Sequence, residues 1–168
     1  SRRQRQMCIR DRFNIIQNYV EGCTFLDLFA GSGQMGIEAL SRGAKRAVFV
    51  DSAKASCGVV LENIYTTEFE NEAQVMNAEY ASYLLRCTET FDIAFLDPPY
   101  RTGTLTKALL AVTPHMNRGG IVICESETGL VLPAEVGGMT LKKQYKYGKV
   151  LLWKYGKPRQ SAGEGDAE

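Results

Sequence analysis

The stretch TFLDLFAGSGQMG, residues 24–36, carries the strongest indication of the fold. A short apolar run ends in the turn Gly31-Ser32-Gly33, and apolar residues then recur at helical spacing over residues 35–42. A strand, a glycine turn and a helix in this order open many α/β domains. The match of GSGQMG to the GxGxxG pattern is a weak signal by itself, because glycines also allow a helix to pack closely on a strand.

The rest of the chain continues to alternate between strands and helices. Further strands are predicted at residues 47–50, 74–77, 91–96 and 121–124, and helices at residues 52–65, capped by Ser52, and 105–116. This alternation predicts a mostly parallel sheet covered on both faces, a doubly wound α/β domain. Residues 140–145 and 149–155 alternate around the turn Tyr147-Gly148 without an intervening helix, so they predict an antiparallel hairpin added to the sheet.

Length and charge limit the function classes. The 168 residues predict one domain. The net charge of +1 hides an uneven distribution: residues 1–12 carry five arginines and one aspartate, and the remainder has 15 basic and 18 acidic residues, a net of −3. Nucleic-acid binding would therefore depend on a local patch, such as Lys142, Lys143, Lys146 and Lys149. A solvated lysine-rich hairpin explains that patch equally well.

Several residue types argue against metal and membrane functions. The five cysteines lack metal-binding spacing and indicate reduced core residues, and His115 is the only histidine. No apolar run reaches the roughly 18 residues that span a membrane, and no secretory signal is visible. We therefore expect a cytoplasmic protein without a metal site or a membrane partner. The small, charged segment 156–168 predicts a disordered tail.

Acidic residues follow the first two predicted strands. Asp51 ends the second strand about 20 residues after the glycine turn, where an acid can accept both hydroxyls of a ribose. This arrangement is compatible with NAD, FAD or S-adenosylmethionine. Asp27 stands four residues before Gly31, where the NAD pattern is usually apolar, and a carboxylate there could hold the ammonium group of an amino-acid-bearing cofactor.

The fourth predicted strand runs into the sequence Asp97-Pro98-Pro99-Tyr100. Proline fixes φ, removes a donor and restricts the preceding residue, so this segment should be a rigid shelf with exposed carbonyl groups. In a doubly wound sheet, ligands bind beyond the carboxyl ends of the strands where the strand order reverses, here between the first and the fourth strand. The glycine turn and the shelf are therefore expected to face each other.

These motifs match a known family of enzymes. DLFAGSG (residues 27–33), VFVD (48–51) and FLDPPY (95–100) resemble the class I S-adenosylmethionine-dependent methyltransferases that modify exocyclic amines. More closely, FLDLFAGSGQMGIEALSRGAKRAVFVD, FDIAFLDPPY and YKYGKVLLWKY resemble the bacterial small-subunit (16S) rRNA guanine-N2 methyltransferase family. The resemblance covers residues 13–155, which are expected to form the methyltransferase domain.

The resemblance implies a seven-stranded Rossmann-like sheet, S-adenosylmethionine as cofactor and small-subunit ribosomal RNA as partner, either naked or in an assembling subunit. A monomer is expected. The implied cofactor-binding residues are Asp27, Ala30, Gly31, Gly33, Asp51, Ser52, Ala78 and Glu79, the last being an aspartate in many members of the family. The implied catalytic residues are Asp97, Pro98, Pro99 and Tyr100.

The beginning of the chain departs from the family pattern. Members usually open with a β-hairpin and an arginine-proline-threonine segment, whereas residues 1–12 read SRRQRQMCIRDR. This segment is interpreted as translated sequencing-adapter read-through or as disordered, so that part of the RNA-binding surface would be missing. A native basic arm that contacts phosphates is the alternative.

Other activities compete with rRNA methylation. A DNA adenine-N6 methyltransferase can share the DPPY motif, but it normally needs a target-recognition domain for which this chain lacks residues. A protein-glutamine methyltransferase more often has asparagine in place of Asp97. A nicotinamide-dependent dehydrogenase would explain GSGQMG but not the DPPY motif, and a catalytically silent RNA-binding domain would not need Asp27, Asp51 and Asp97.

Overall fold

The computed structural model describes the backbone of residues 2–159 and the side chains of residues 9–159. The helices of this part of the chain are α1 (Arg2–Val20), α2 (Gln34–Ser41), α3 (Lys54–Thr66), α4 (Tyr80–Arg86) and α5 (Thr104–Val112). The strands are β1 (Thr24–Asp27), β2 (Arg46–Asp51), β3 (Ala73–Asn77), β4 (Phe91–Leu96), β5 (Met116–Glu127), β6 (Glu135–Val136), β7 (Met139–Tyr147) and β8 (Val150–Gly156). A 3₁₀ turn, Thr113–His115, joins α5 to β5.

All the strands belong to one sheet with the order β3-β2-β1-β4-β5-β8-β7-β6. Strands β1 to β5 pair in parallel, and β8, β7 and β6 continue the sheet with antiparallel pairings. The chain moves outward from β1 to β3 and returns with β4 on the other side of β1, so the strand order reverses between β1 and β4. The predicted doubly wound α/β fold with a C-terminal hairpin is confirmed.

Helices cover both faces of the sheet because the central strands are apolar on both sides. On one face, Leu26 and Leu96 pack in a cluster with Leu105 and Leu109 of α5. On the other face, buried side chains of β1, β2 and β4 pack with residues of α1, α2 and α3, among them Phe25, Phe49, Phe95, Phe13, Leu40 and Val60. Each fully buried side chain of this size contributes roughly 1.5 to 3 kcal/mol, so the two layers hold the carboxyl ends of the strands in place.

Several predicted boundaries are wrong. Within the described residues the sheet has eight strands instead of seven, because the two-residue strand β6 pairs with β7. The helix predicted at 105–116 ends at Val112, since Pro114 in the following turn lacks an amide hydrogen. Ser52 does not cap α3; the Asp51 carboxylate instead accepts a hydrogen bond from the amide of Ala53. Helix α4 was not predicted.

Regular structure reaches into both of the terminal segments that were predicted to be disordered. Helix α1 spans Arg2–Val20 and thus includes most of the segment 1–12. Ile9 packs against the core, and Arg12 forms an ion pair with Glu125. The interpretation of residues 1–12 as foreign or disordered stays a prediction. At the other end β8 includes Gly156. The disordered tail at 156–168 stays a prediction, and its residues 160–168 lie outside the described part of the chain.

Candidate active site

A cleft lies at the carboxyl ends of the parallel strands, on both sides of the point where the strand order reverses. Its volume is about 480 Å³, within the range of small-molecule sites. Its lining residues are Phe29, Gly31, Asp51, Ser52, Asp97, Pro98, Pro99, Tyr100 and Glu125. The glycine turn after β1 and the shelf after β4 thus line the same cleft, as predicted.

The glycines of the turn between β1 and α2 differ in their surroundings. Gly31 and Gly33 have φ angles of 58° and 81°, a region that side chains rarely adopt. A Cβ atom at Gly31 would meet no atom within 4 Å, whereas one at Gly36 would lie 2.3 Å from Cε1 of Phe49. Gly36 therefore serves close packing of α2 on β2, and Gly31 leaves the wall of the cleft open to a ligand.

Asp51 connects the glycine turn to the start of α3. Its Oδ2 atom accepts a 2.9 Å hydrogen bond from the amide of Gly31, and its Oδ1 atom accepts one of 2.9 Å from Ala53. A carboxylate has about four lone-pair positions, so both oxygens can still accept hydroxyl groups from a ligand. Asp51 is therefore held in position before any ligand binds. Ala30 is fixed beside it by an amide hydrogen bond to the carbonyl of Val50.

Asp27 lies beneath the glycine turn and is not among the lining residues of the cleft. Its side chain is 1% exposed, and its Oδ2 atom accepts a 3.1 Å hydrogen bond from the amide of Gly36. Burial, with smaller contributions from the charges of Asp97 and Asp51, raises the pKa of this carboxyl group to about 8, although the hydrogen bond from Gly36 opposes the increase. A cation nearby would favour the ionised form, so a role toward an ammonium group stays a prediction.

The shelf after β4 combines a polar group, a fixed backbone and an aromatic ring. Asp97 is half-buried, Pro98 is buried, and Pro99 and Tyr100 are exposed. The hydroxyl of Thr102 donates a 2.9 Å hydrogen bond to the carbonyl of Pro99, which closes the turn behind the shelf. The segment therefore presents acceptors and a ring to the cleft on a backbone with little freedom.

Asp97 faces the carboxyl group of Glu125 on β5. Burial, the charge of Glu125 and a hydrogen bond with Glu125 together raise the pKa of Asp97 to about 7, although the charge of Arg12 opposes the increase. Glu125 is 6% exposed, and its Oε1 atom accepts a 2.7 Å hydrogen bond from Nε of Arg12 and a second one from Nη2. The site thus contains two adjacent carboxyl groups, one of which is paired with a guanidinium group.

Sequence reasoning missed both Glu125 and Arg12. Glu125 had a usable signal, because an acid that directly follows the apolar run Ile121–Cys124 beside the fourth strand should lie at the same edge as Asp97. The predicted fifth strand ended one residue earlier. Arg12 had no such signal, since it belongs to the segment interpreted as foreign, and its contact with Glu125 joins residues 113 positions apart.

The remaining predicted cofactor residues lie at the carboxyl end of β3. The amide of Ala78 donates a 3.0 Å hydrogen bond to the carbonyl of Asp51, which places Ala78 beside the cleft. Ala78 nevertheless lines a separate hollow together with Met76, Tyr83 and Cys87. Glu79 is exposed at the start of α4. These two positions are adjacent to the cleft without forming its wall.

The described residues form neither a metal-binding cluster nor a membrane-spanning helix. No cluster of histidine, cysteine, aspartate and glutamate side chains within residues 9–159 could hold a metal ion. No described helix combines the length and the apolar character needed to cross a bilayer.

Comparisons with known proteins agree with this architecture. YlbH of Bacillus subtilis (strain 168) is 39% identical over 142 residues, which cover 81% of this chain and 77% of YlbH. Ribosomal RNA small subunit methyltransferase D of Escherichia coli (strain K12) is 32% identical over 158 residues, 93% of this chain and 78% of the relative. A solved structure of a conserved hypothetical protein from Streptococcus pyogenes superposes with a TM-score of 0.82 at 33% identity, covering 88% of this chain and 93% of that one.

The family model described as Conserved hypothetical protein 95 matches residues 7–156. This range includes the glycine turn, Asp51, the shelf and Glu125, so the match extends over the whole cleft. This match and the identity of the aligned relatives show that the chain belongs to the Conserved hypothetical protein 95 family, with the ribosomal RNA small subunit methyltransferase D proteins among its relatives.

Proposed function

We propose that this protein transfers a methyl group from S-adenosylmethionine to the exocyclic N2 amine of a guanine in small-subunit ribosomal RNA. The observation that carries the proposal is the single cleft in which the glycine turn and Asp51 face the Asp97–Tyr100 shelf. The name of the E. coli relative, a ribosomal RNA small subunit methyltransferase, supports the substrate class.

The residues of the cleft fit S-adenosylmethionine. Gly31 leaves room for a ligand to approach the backbone, and Asp51 has acceptor positions for the ribose hydroxyls. Ser52 lies beside Asp51 in the wall of the cleft, and Ala78 and Glu79 follow the neighbouring strand, where an adenine could lie. When bound, this cofactor supplies a sulfonium methyl group, and the residues of the chain position the base that receives it.

The shelf suits an amine that is a weak nucleophile. The lone pair of the guanine N2 amine is delocalised into the ring, so orientation contributes more than a strong base does. The Asp97 carboxylate and the Pro98 carbonyl can accept the two amine hydrogens, which directs the lone pair away from the shelf and stabilises the charge that develops on nitrogen. Pro98 and Pro99 hold these groups in register.

Replacing Tyr100 tests whether its ring stacks on the target base. The side chain is 44% exposed at the mouth of the cleft, and stacking of a base on an aromatic ring contributes about 1 to 3 kcal/mol. Tyr100→Ala is therefore expected to lower kcat/KM for RNA by about tenfold or more. Tyr100→Phe keeps the ring and should retain most of the activity. Equal losses in the two variants would instead point to the hydroxyl group.

The pH profile tests the protonation state of Asp97. Because the pKa of Asp97 lies at about 7, the carboxylate form increases as the pH rises through 7. The rate of methyl transfer with both substrates saturating should therefore rise toward a plateau above pH 7. Glu125→Gln removes the neighbouring charge that raises this pKa, so the profile should move to lower pH. An unchanged profile in this variant would contradict the assignment of the titration to Asp97 beside Glu125.

Product analysis separates the candidate reactions. Protein and labelled S-adenosylmethionine would be incubated with small-subunit ribosomal RNA, with assembling subunits and with DNA, and the methylated nucleosides identified by mass spectrometry. N2-methylguanosine in RNA is the expected product. N6-methyladenine in DNA, or binding of NAD in place of S-adenosylmethionine, would contradict the proposal. We also propose that the protein is a cytoplasmic monomer; light scattering tests the monomeric state.

A further inference from the structure

The hairpin of β7 and β8 brings lysines to the same edge of the sheet as the cleft. Strand β5 runs toward this edge, and β8 pairs with it in the antiparallel direction, so the turn between β7 and β8 also lies there. We use the term hairpin tip for Lys146, Tyr147, Gly148 and Lys149. All four residues are exposed.

The register of the strands places the hairpin tip close to the cleft. Ser126, the residue after Glu125, pairs with Leu151 of β8, and Leu151 pairs with Lys146. Adjacent strands are about 4.8 Å apart, so the backbone of Lys146 lies about 10 Å from that of Ser126. That separation is short compared with the reach of a few nucleotides of an RNA chain. A chain of RNA with one base in the cleft could therefore reach the hairpin tip.

The charged side chains of the β7–β8 hairpin are all positive. Residues 139–157 contain six lysines and no acidic residue, although the chain as a whole is close to neutral. No ion pair is found for Lys146 or Lys149 within the described part of the chain. The nearest acid on the neighbouring strand is Glu127, which pairs in register with Val150, and the charge of Asp11 in α1 acts on Tyr147 of the hairpin tip. The hairpin is thus a local basic surface of the kind that binds phosphate groups.

Protection of an open strand edge explains only some of these lysines. Strand β6 pairs with Met139 and Thr140 alone, so the outer edge of β7 beyond residue 141 has no partner strand in the described chain. Lysines on such an edge hinder pairing with other molecules. This role suits Lys142 and Lys146 within the strand, but it does not explain Lys149, which lies in the turn.

We propose that the hairpin tip binds the phosphate groups of the RNA next to the nucleotide held in the cleft, with Lys146 and Lys149 as the phosphate contacts. This inference rests on the proposed function, because it takes ribosomal RNA as the ligand. Such contacts do not read sequence; they fix the position of the RNA on the protein and make binding depend on salt.

The test compares Lys146→Gln, Lys149→Gln and the double variant with the wild-type protein. The matched control is Lys45→Gln, because Lys45 is exposed and directly precedes β2, at the opposite edge of the sheet. Binding of protein-free small-subunit ribosomal RNA would be measured over a range of salt concentrations. Replacing each phosphate-binding lysine should make the negative slope of log K against log salt less steep by about 0.7 to 0.9, and should weaken binding about fivefold near 0.1 M salt.

The outcomes distinguish this inference from the proposed function. The inference is supported if RNA binding depends less steeply on salt in the tip variants than in the wild-type protein. Lys45→Gln should keep the wild-type slope, and the affinity for S-adenosylmethionine should be unchanged in all variants. Tip variants that bind RNA as Lys45→Gln does would overturn it. A loss of affinity for assembling subunits but not for protein-free RNA would also overturn it, because the lysines would then contact an acidic protein surface instead of RNA. A wild-type protein that binds RNA but makes no N2-methylguanosine would contradict the proposed function alone. The absence of RNA binding would contradict both.

Discussion

Asp97→Ala is expected to reduce methyl transfer by about 100- to 1,000-fold while cofactor binding persists. Asp97 is half-buried between the two sides of the cleft, and the prolines that follow hold it in one position. Loss of one positioned hydrogen-bonding group that stabilises a transition state typically costs a factor of this size. The measurement is the single-turnover rate on small-subunit ribosomal RNA with saturating S-adenosylmethionine.

Two further variants make this result specific. Asp97→Asn keeps one acceptor oxygen in the same place and should retain more activity than Asp97→Ala. Glu62→Gln removes an exposed carboxylate from α3, away from the cleft, and should be fully active. Calorimetry with S-adenosylmethionine shows whether the cofactor site is intact. Methylation of guanine by Asp97→Ala at the wild-type rate would refute the proposed mechanism.

Asp51→Ala is expected to weaken S-adenosylmethionine binding by about 10- to 100-fold. A hydrogen bond between a carboxylate and a ribose hydroxyl is worth roughly 1.5 to 3 kcal/mol. The carboxylate also accepts the amides of Gly31 and Ala53, so its loss would loosen the glycine turn as well. Both effects raise the dissociation constant, which calorimetry measures directly.

The effect on the turn can be separated from the effect on the ribose. Asp51→Asn keeps an oxygen that can accept the amide of Gly31 but loses the charge, so it should bind the cofactor with intermediate affinity. Thermal unfolding of each variant shows whether the fold itself has changed. An Asp51→Ala protein that folds and binds S-adenosylmethionine as tightly as the wild type would exclude Asp51 as the ribose ligand.

Local sequence determined the elements that carry the two main motifs. The apolar strand before Gly31 and the strand that ends at Leu96 were predicted because strand burial and glycine or proline turns are properties of a few neighbouring residues. The meeting of these motifs followed from the strand order of doubly wound sheets. Element ends were predicted less well, as at Val112 and Ser52, because capping depends on atoms that compete at each boundary.

The sequence by itself therefore determined the α/β class, the glycine turn, the acid of β2 and the rigid shelf. Only the tertiary structure decided that Glu125 lies against Asp97, that Arg12 pairs with Glu125, and that Asp27 is buried beneath the turn. It also decided that the hairpin tip shares an edge with the cleft. The reason is physical: burial and charge pairing depend on distances between residues far apart in the chain, and strand register sets those distances.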